Sequence, residues 1–301
     1  MRKVIAVGLL LLAVGCSVEQ STSEHAAAPA VANGIMLSKV GEYPASRALV
    51  IIMHTLDGKP AGFCTGVLID KNIGLTAAHC LGGHIKSNGF KIVFGLNQRA
   101  PSNRIRVGFK MVAHPDFRED GKELDSFDFG GGAIKKYTKG MSNDIAIFSF
   151  VGELPPDAKP AQILPQNIDL SNQPIYIYGA GHSQYISGEQ YREPKFYNSG
   201  LFGNLRRGKA VIHSNYSQYP TMYFTAPTSE SQTCMGDSGG PQFLASAEFP
   251  TVVGINSAML VNDLDGNHKD SVCGNTALTT KVGAFYDWIT QQKLILTSEL
   301  K

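Results

Sequence analysis

The chain has 301 residues, enough for one large domain or two small ones, each with a proper core. Its 27 Lys and Arg against 25 Asp and Glu leave a net charge of +2, so the balance of charge calls for no nucleic-acid partner. Hydrophobic residues make up 43%, and 32 glycines with 15 prolines suit a turn-rich globular β protein.

At the N-terminus, Arg2 and Lys3 precede an apolar run from Val4 to Gly15 that is too short to span a membrane as a permanent helix. It reads as a signal peptide over 1–15. The run ends Leu12-Ala13-Val14-Gly15-Cys16, which resembles a bacterial lipobox and makes Cys16 the candidate lipidated residue. Ala28-Pro29-Ala30 has the small-residue pattern of a signal peptidase site but lies far beyond the apolar run. Residues 16–30 are small, polar and Ala-rich, as a flexible tether or propeptide would be.

Strand-like segments then alternate with turns. Ala48 to Met53 is a continuous apolar run, and Phe63 to Ile69 leads towards a histidine. Phe90 to Phe94 and Ile105 to Val112 alternate with period two, as half-buried strands do. Between Phe117 and Asn143 the acidic residues Glu119, Asp120, Glu123, Asp125 and Asp128 give way to Gly130-Gly131-Gly132 and then Lys135, Lys136 and Lys139. The ligand spacing of a defined calcium loop is absent, so this reads as a solvated surface loop. Leu154-Pro155-Pro156, Pro160 and Pro165 form a stiff connector, dividing the folded part into 31–155 and 156–301. Strand-like runs resume at Ile175 to Tyr178, Ala210 to His213, Met222 to Thr225 and Thr251 to Ile255. Near the end, Phe285, Trp288 and Ile289 share one helical face.

Three short motifs carry chemistry. Leu75-Thr76-Ala77-Ala78-His79-Cys80 sets a histidine beside a cysteine, and Asn143-Asp144-Ile145-Ala146-Ile147 sets an aspartate at the head of an apolar run. Cys234-Met235-Gly236-Asp237-Ser238-Gly239-Gly240-Pro241 surrounds one serine with three glycines, a turn able to expose a hydroxyl and aim N–H groups at one point. A lone serine is a poor nucleophile and needs a base and a group to orient that base. The Gly-x-Ser-x-Gly pattern also fits the nucleophile elbow of α/β-hydrolases, but that arrangement needs an acid and a histidine after the serine. Only His268 follows Ser238, directly behind the intervening aspartates, so the elbow fails on order.

The order His79, Asp144, Ser238 resembles the chymotrypsin-like (trypsin-like) serine endopeptidases. The resemblance runs from about Val31 to the C-terminus. It implies an all-β fold of two packed antiparallel six-stranded barrels with a C-terminal α-helix. It implies His79, Asp144 and Ser238 as catalytic residues, and the N–H groups of Gly236 and Ser238 as the oxyanion hole. Among Cys64, Cys80, Cys234 and Cys273, sequence alone allows three pairings. The resemblance implies Cys64 with Cys80 and Cys234 with Cys273. Val31-Ala32-Asn33-Gly34 is similar to the family's new N-terminus after zymogen cleavage, whose freed amine would pair with Asp237. Gln232, six before Ser238, falls at the floor of the specificity pocket, with Ser257, Met259 and Ala277 at its walls. An uncharged floor argues against a preference for Lys or Arg. Gly179-Ala180-Gly181 departs from the family's usual Gly-Trp-Gly, a change expected to affect packing.

The expected partners are protein or peptide substrates, an activating protease, and a membrane through the lipid anchor before activation, with no nucleic acid, cofactor or metal. The expected location is the cell envelope of a bacterium, with release on activation. The alternative is a catalytically silent protease-fold binding or scaffold protein of the envelope.

Overall fold

The computed structural model describes residues 31, 34–81, 88–117, 143–183, 202–214, 220–226, 229–260, 273 and 276–301. Cys16, the tether and the charged loop over 118–142 lie outside the described residues.

Six strands close into an antiparallel barrel. They are β2 (Leu49–Leu56), β3 (Lys59–Asp70), β4 (Ile73–Thr76), β5 (Gly89–Phe94), β6 (Arg104–Ala113) and β7 (Ala146–Phe150), in the order β2-β3-β4-β7-β6-β5 with β5 paired back to β2. The apolar run foreseen at 48–53 fills this barrel from β2, where Val50, Ile51 and Ile52 are fully buried. Val67, Leu75, Ile92 and Ile147 meet them from the other strands. Burying each such side chain contributes about 1.5–3 kcal/mol.

The second sheet has eight strands. β1 (Ile35–Met36), β10 (Arg206–Val211), β9 (Pro174–Gly179), β12 (Pro241–Leu244), β13 (Thr251–Leu260), β14 (Thr276–Lys281) and β11 (Met222–Phe224) follow one another, and β8 (Gln162–Ile163) adds parallel to β13. Six of these complete a circuit, because an antiparallel bridge between Ile212 and Thr225 returns β11 to the end of β10. Two backbone hydrogen bonds seal that seam, His213 N–H to the Phe224 carbonyl at 2.8 Å and Ala226 N–H to the Val211 carbonyl at 2.7 Å. β1, from the stretch that the connector assigned to the first barrel, pairs instead with β10 in this second sheet.

The C-terminal helix α1 (Tyr286–Glu299) buries Ile289 and Leu296 against the first barrel. Just before it, Phe285 packs edge-on against the His114 ring at 4.9 Å, and Trp288 does the same at 5.0 Å. The His114 backbone N–H in turn donates to the Ile145 carbonyl, so the helix braces the segment that carries Asp144.

Candidate active site

His79 follows β4 in a single 3-10 turn, and the Cys64–Cys80 disulfide ties that turn to β3. Asp144 lies just ahead of β7, the antiparallel neighbour of β4, where Thr76 pairs with Ala146. Asn143 precedes it with φ +56°, a left-handed conformation that Asn tolerates better than most residues, and this turns the chain abruptly into the strand. The His79 backbone N–H donates to Asp144 Oδ1 at 2.8 Å, and His79 Nδ1 lies 2.7 Å from Asp144 Oδ2. Because an ionised carboxylate only accepts, Nδ1 carries a proton, and in the neutral imidazole Nε2 is then the acceptor nitrogen. Ser257 donates a third hydrogen bond to Asp144 Oδ2 at 2.5 Å, and Thr280 Oγ1 holds the Asp144 carbonyl at 2.9 Å. Burial pushes the Asp144 carboxyl towards its neutral form. The His79 ring, the Ser257 hydroxyl and the His79 amide outweigh this and hold it below the usual carboxylate range.

Ser238 rides on a tight turn between Cys234 and Gly240. The Asp237 N–H donates to the Cys234 carbonyl at 3.0 Å, and the Gly240 N–H donates to the Asp237 carbonyl at 2.9 Å. Gly236 has φ +95° and Gly239 has φ +76°, conformations open to glycine at little cost. At Gly239 space is also decisive, since a Cβ there would stand 2.0 Å from Thr76 Oγ1. Asn256 on β13 fastens the turn through its backbone: Gly239 N–H donates to the Asn256 carbonyl, and Asn256 N–H to the Gly240 carbonyl, both at 2.8 Å.

His79 and Ser238 open onto one cavity of about 210 Å³, whose other walls include Thr233, Met235 and the β13 segment from Asn256 to Met259. Ser257 and Met259 line this cavity, and Ala277 faces Met259 as its cross-strand partner. Gln232 and Ala277 are buried but are not part of that lining. The Gln232 amide is turned away and engaged: Thr225 Oγ1 donates to its Oε1 at 2.9 Å, and its Nε2 donates to the Ala226 carbonyl at 3.1 Å. Cys234 is joined to Cys273 beside this region. Cys64, His79 and Cys80 also cluster closely enough to suggest a metal site, but both sulfurs are consumed by their disulfide.

Behind the serine, Asp237 is buried. Its Oδ1 accepts the Gly181 N–H and its Oδ2 the Cys234 N–H, both at 2.8 Å. Burial pushes its carboxyl up to about 7, against the pull of those two donors and of the Arg206 charge. Val31 is fully buried in the second barrel's core, beside Gly208 and Ser231.

Sequence reading passed over two contacts. Ser257 was placed on the substrate side, yet its hydroxyl turns to Asp144. β13 explains why: Asn256 pairs with Thr279 and Ala258 with Leu278, leaving Ser257 as the extra residue of a bulge, which re-aims its side chain. The other is Thr65, whose hydroxyl reaches the nucleophile turn. A signal existed for both, since each is a polar residue in a buried stretch of its strand and had to find a partner.

A sequence model of the trypsin family matches residues 39–289. The chain belongs to the trypsin family. Among solved structures, the trypsin-family fold of this chain resembles one titled HL collagenase, with a TM-score of 0.61 and 20% identity over 87% of this chain and 98% of that one. At that identity the likeness speaks for the shared fold.

Proposed function

We propose that the protein is a serine endopeptidase that hydrolyses peptide bonds through an acyl-enzyme. The observation that carries this reading is the His79–Asp144 pair at 2.7 Å, facing the same cavity as Ser238. Ser238 Oγ attacks the substrate carbonyl carbon while its proton passes to His79 Nε2. The imidazolium so formed is steadied by Asp144, which stays ionised. The carbonyl oxygen, now negative, is held by the N–H groups of Gly236 and Ser238. Collapse breaks the C–N bond, and His79 returns the proton to the leaving amine. Water then attacks the acyl group by the same route in reverse. The test is labelling with a serine-directed phosphonate followed by mass mapping. Adduct on Ser238, lost in His79→Ala, is expected; a folded wild-type protein that takes up no label would overturn the proposal.

Specificity, activation and placement extend the proposal. The cavity beside Ser238 accepts uncharged residues, because among the described residues none that lines it offers a carboxylate to a cation, and the buried Gln232 amide behind it is already engaged. Cleavage before Val31 frees an α-ammonium that pairs with Asp237, a carboxyl whose burial leaves it short of compensating charge. Lipidated Cys16 holds the unprocessed chain at the bacterial envelope, and the same cut releases it, since neither disulfide spans the cut. Two disulfides suit an oxidising compartment. N-terminal sequencing of membrane-bound and soluble forms, with activity measured on each, decides. Full activity in a lipidated form still carrying residues before Val31 would sink both the switch and the release.

A further inference from the structure

Thr65 lies in the middle of β3, fully buried, between the histidine segment and the nucleophile turn. Its carbonyl accepts the Thr76 hydroxyl at 2.9 Å, a short way before His79. Its N–H donates to the Ser238 carbonyl at 2.8 Å. Its hydroxyl accepts the Ala180 N–H at 3.0 Å and lies 3.3 Å from the Gly236 carbonyl. The Ala180 amide can only donate and the Gly236 carbonyl can only accept, so the single hydroxyl proton is committed to Gly236. The peptide from Gly236 to Asp237 is thus held at both ends, because the Asp237 N–H is already bonded to the Cys234 carbonyl. This matters at a glycine with φ +95°, where the backbone has alternative rotations of similar energy. The Phe63 ring closes the other side, with its edge 3.1 Å from where a Cβ on Gly236 would stand.

We infer that Thr65 is a positioning residue: by holding the Gly236 carbonyl from across the barrel interface, it sets the direction in which the Gly236 N–H meets the substrate's carbonyl oxygen. The inference rests on the peptidase reading above. A donor fixed in advance needs no reorganisation as charge develops, so its misdirection weakens the transition state more than the bound substrate. Turnover should therefore suffer while substrate binding does not.

The experiment compares Thr65→Val, which removes the hydroxyl at nearly constant shape, with Thr65→Ser, which keeps it, in the processed active enzyme. Steady-state kinetics on a peptide substrate and the affinity of a matched peptide aldehyde are measured for each. The aldehyde's adduct with Ser238 places a tetrahedral oxygen where the oxyanion forms. Thr65→Val should lower kcat by about tenfold or more with KM within about twofold, and weaken the aldehyde by a factor that follows kcat/KM. Thr65→Ser should stay within about threefold of wild type on every measure. A Thr65→Val enzyme with unchanged kcat, a loss not mirrored in aldehyde affinity, or a serine variant as impaired as the valine one overturns the inference. Thr65→Ala, which also lacks the hydroxyl but adds no bulk against Ala180, is held to the same criteria if the valine variant does not fold. If neither folds, Thr65 is a scaffold support and the inference fails. Wild-type enzyme that takes up no phosphonate would instead sink the peptidase reading itself, so the two failures are distinguishable.

Discussion

Replacing Asp144 with Asn tests the catalytic assignment at its most exposed point. Asp144 Oδ1 receives the His79 backbone N–H, while Oδ2 faces both His79 Nδ1 and the Ser257 hydroxyl. An amide can be placed there in two ways. With its nitrogen at Oδ1, two N–H groups would confront each other at 2.8 Å with no acceptor between them. The amide therefore keeps its oxygen on the His79 N–H and turns its nitrogen to the ring and to Ser257. One amide proton then goes to Nδ1 and the other to the Ser257 oxygen, so every polar group finds a partner and the fold survives. The ring, however, must now accept at Nδ1, which moves its proton to Nε2 and removes the base that Ser238 needs. Tautomer reversal of this kind costs about 10³–10⁴ in kcat/KM, which corresponds to about 4–5.5 kcal/mol of barrier. The assay is kcat/KM on a peptide substrate from acid to alkaline pH, beside thermal unfolding of both proteins. A folded Asp144→Asn enzyme within about tenfold of wild type at neutral pH would show that Asp144 does not set the tautomer, and the mechanism would have to be redrawn.

Ser238→Ala and His79→Ala should each lower activity by about a millionfold with the fold intact, and the double variant should be little worse; kinetics with circular dichroism checks both. A peptide-library profile should show no preference for Lys or Arg before the cut bond, and a profile led by Arg would refute the reading of Gln232. Asp144 is held below its ordinary value in the folded state, so its contribution to stability is present above the unfolded carboxylate range and is lost as pH falls through the folded pKa. Denaturant titrations should accordingly show less acid sensitivity in Asp144→Asn than in wild type. Asp237 has the opposite sign: its folded pKa of about 7 exceeds the unfolded value of 3.8, so the unprocessed chain loses stability as pH rises between them. In a Ser238→Ala background, a chain beginning at Val31 should be more stable than the unprocessed one at pH 7, by a margin that fades towards pH 4. Equal stability at pH 7 would refute the Val31–Asp237 pairing.

Strands with a clean apolar signature were legible, and those whose composition hid them were not. The run at 48–53 and the alternation at 90–94 and 105–112 became β2, β5 and β6. β14 escaped because Thr276, Thr279, Thr280 and Lys281 look like surface residues, although all six of its side chains are buried. β10 was legible only at its end, from Ala210; it begins at Arg206-Arg207, and the Arg207 guanidinium lies over the Tyr176 ring at 3.6 Å, an arrangement that only the cross-strand register creates. β12 opens on Pro241, a residue suited to a strand's first position but a poor advertisement for one. Among the described residues the second barrel closes through one bridge, from Ile212 to Thr225; both flanking runs were legible as strands, but nothing in either says that they pair with each other.

The site divides along the same line, between what a short motif can state and what only barrel-to-barrel register supplies. His79, Asp144 and Ser238 each stand in a local pattern, so residue type and order were enough to nominate them. Their supports come from across the interface. Asp144, on the first barrel, is held by Ser257 and Thr280 of the second. The Ser238 turn, on the second barrel, is held by Thr65 of the first, through the Ser238 and Gly236 carbonyls. Each barrel thus carries part of the reacting set and the brace for the other's part. Neither half holds its part unaided, because the Ser257 and Thr280 hydroxyls that add to the His79 contacts on Asp144, and the Thr65 hydroxyl on the Gly236 carbonyl, arrive only when the barrels meet. On the proposed function, the motifs therefore name which atoms react, and their aim is a property of the docked pair.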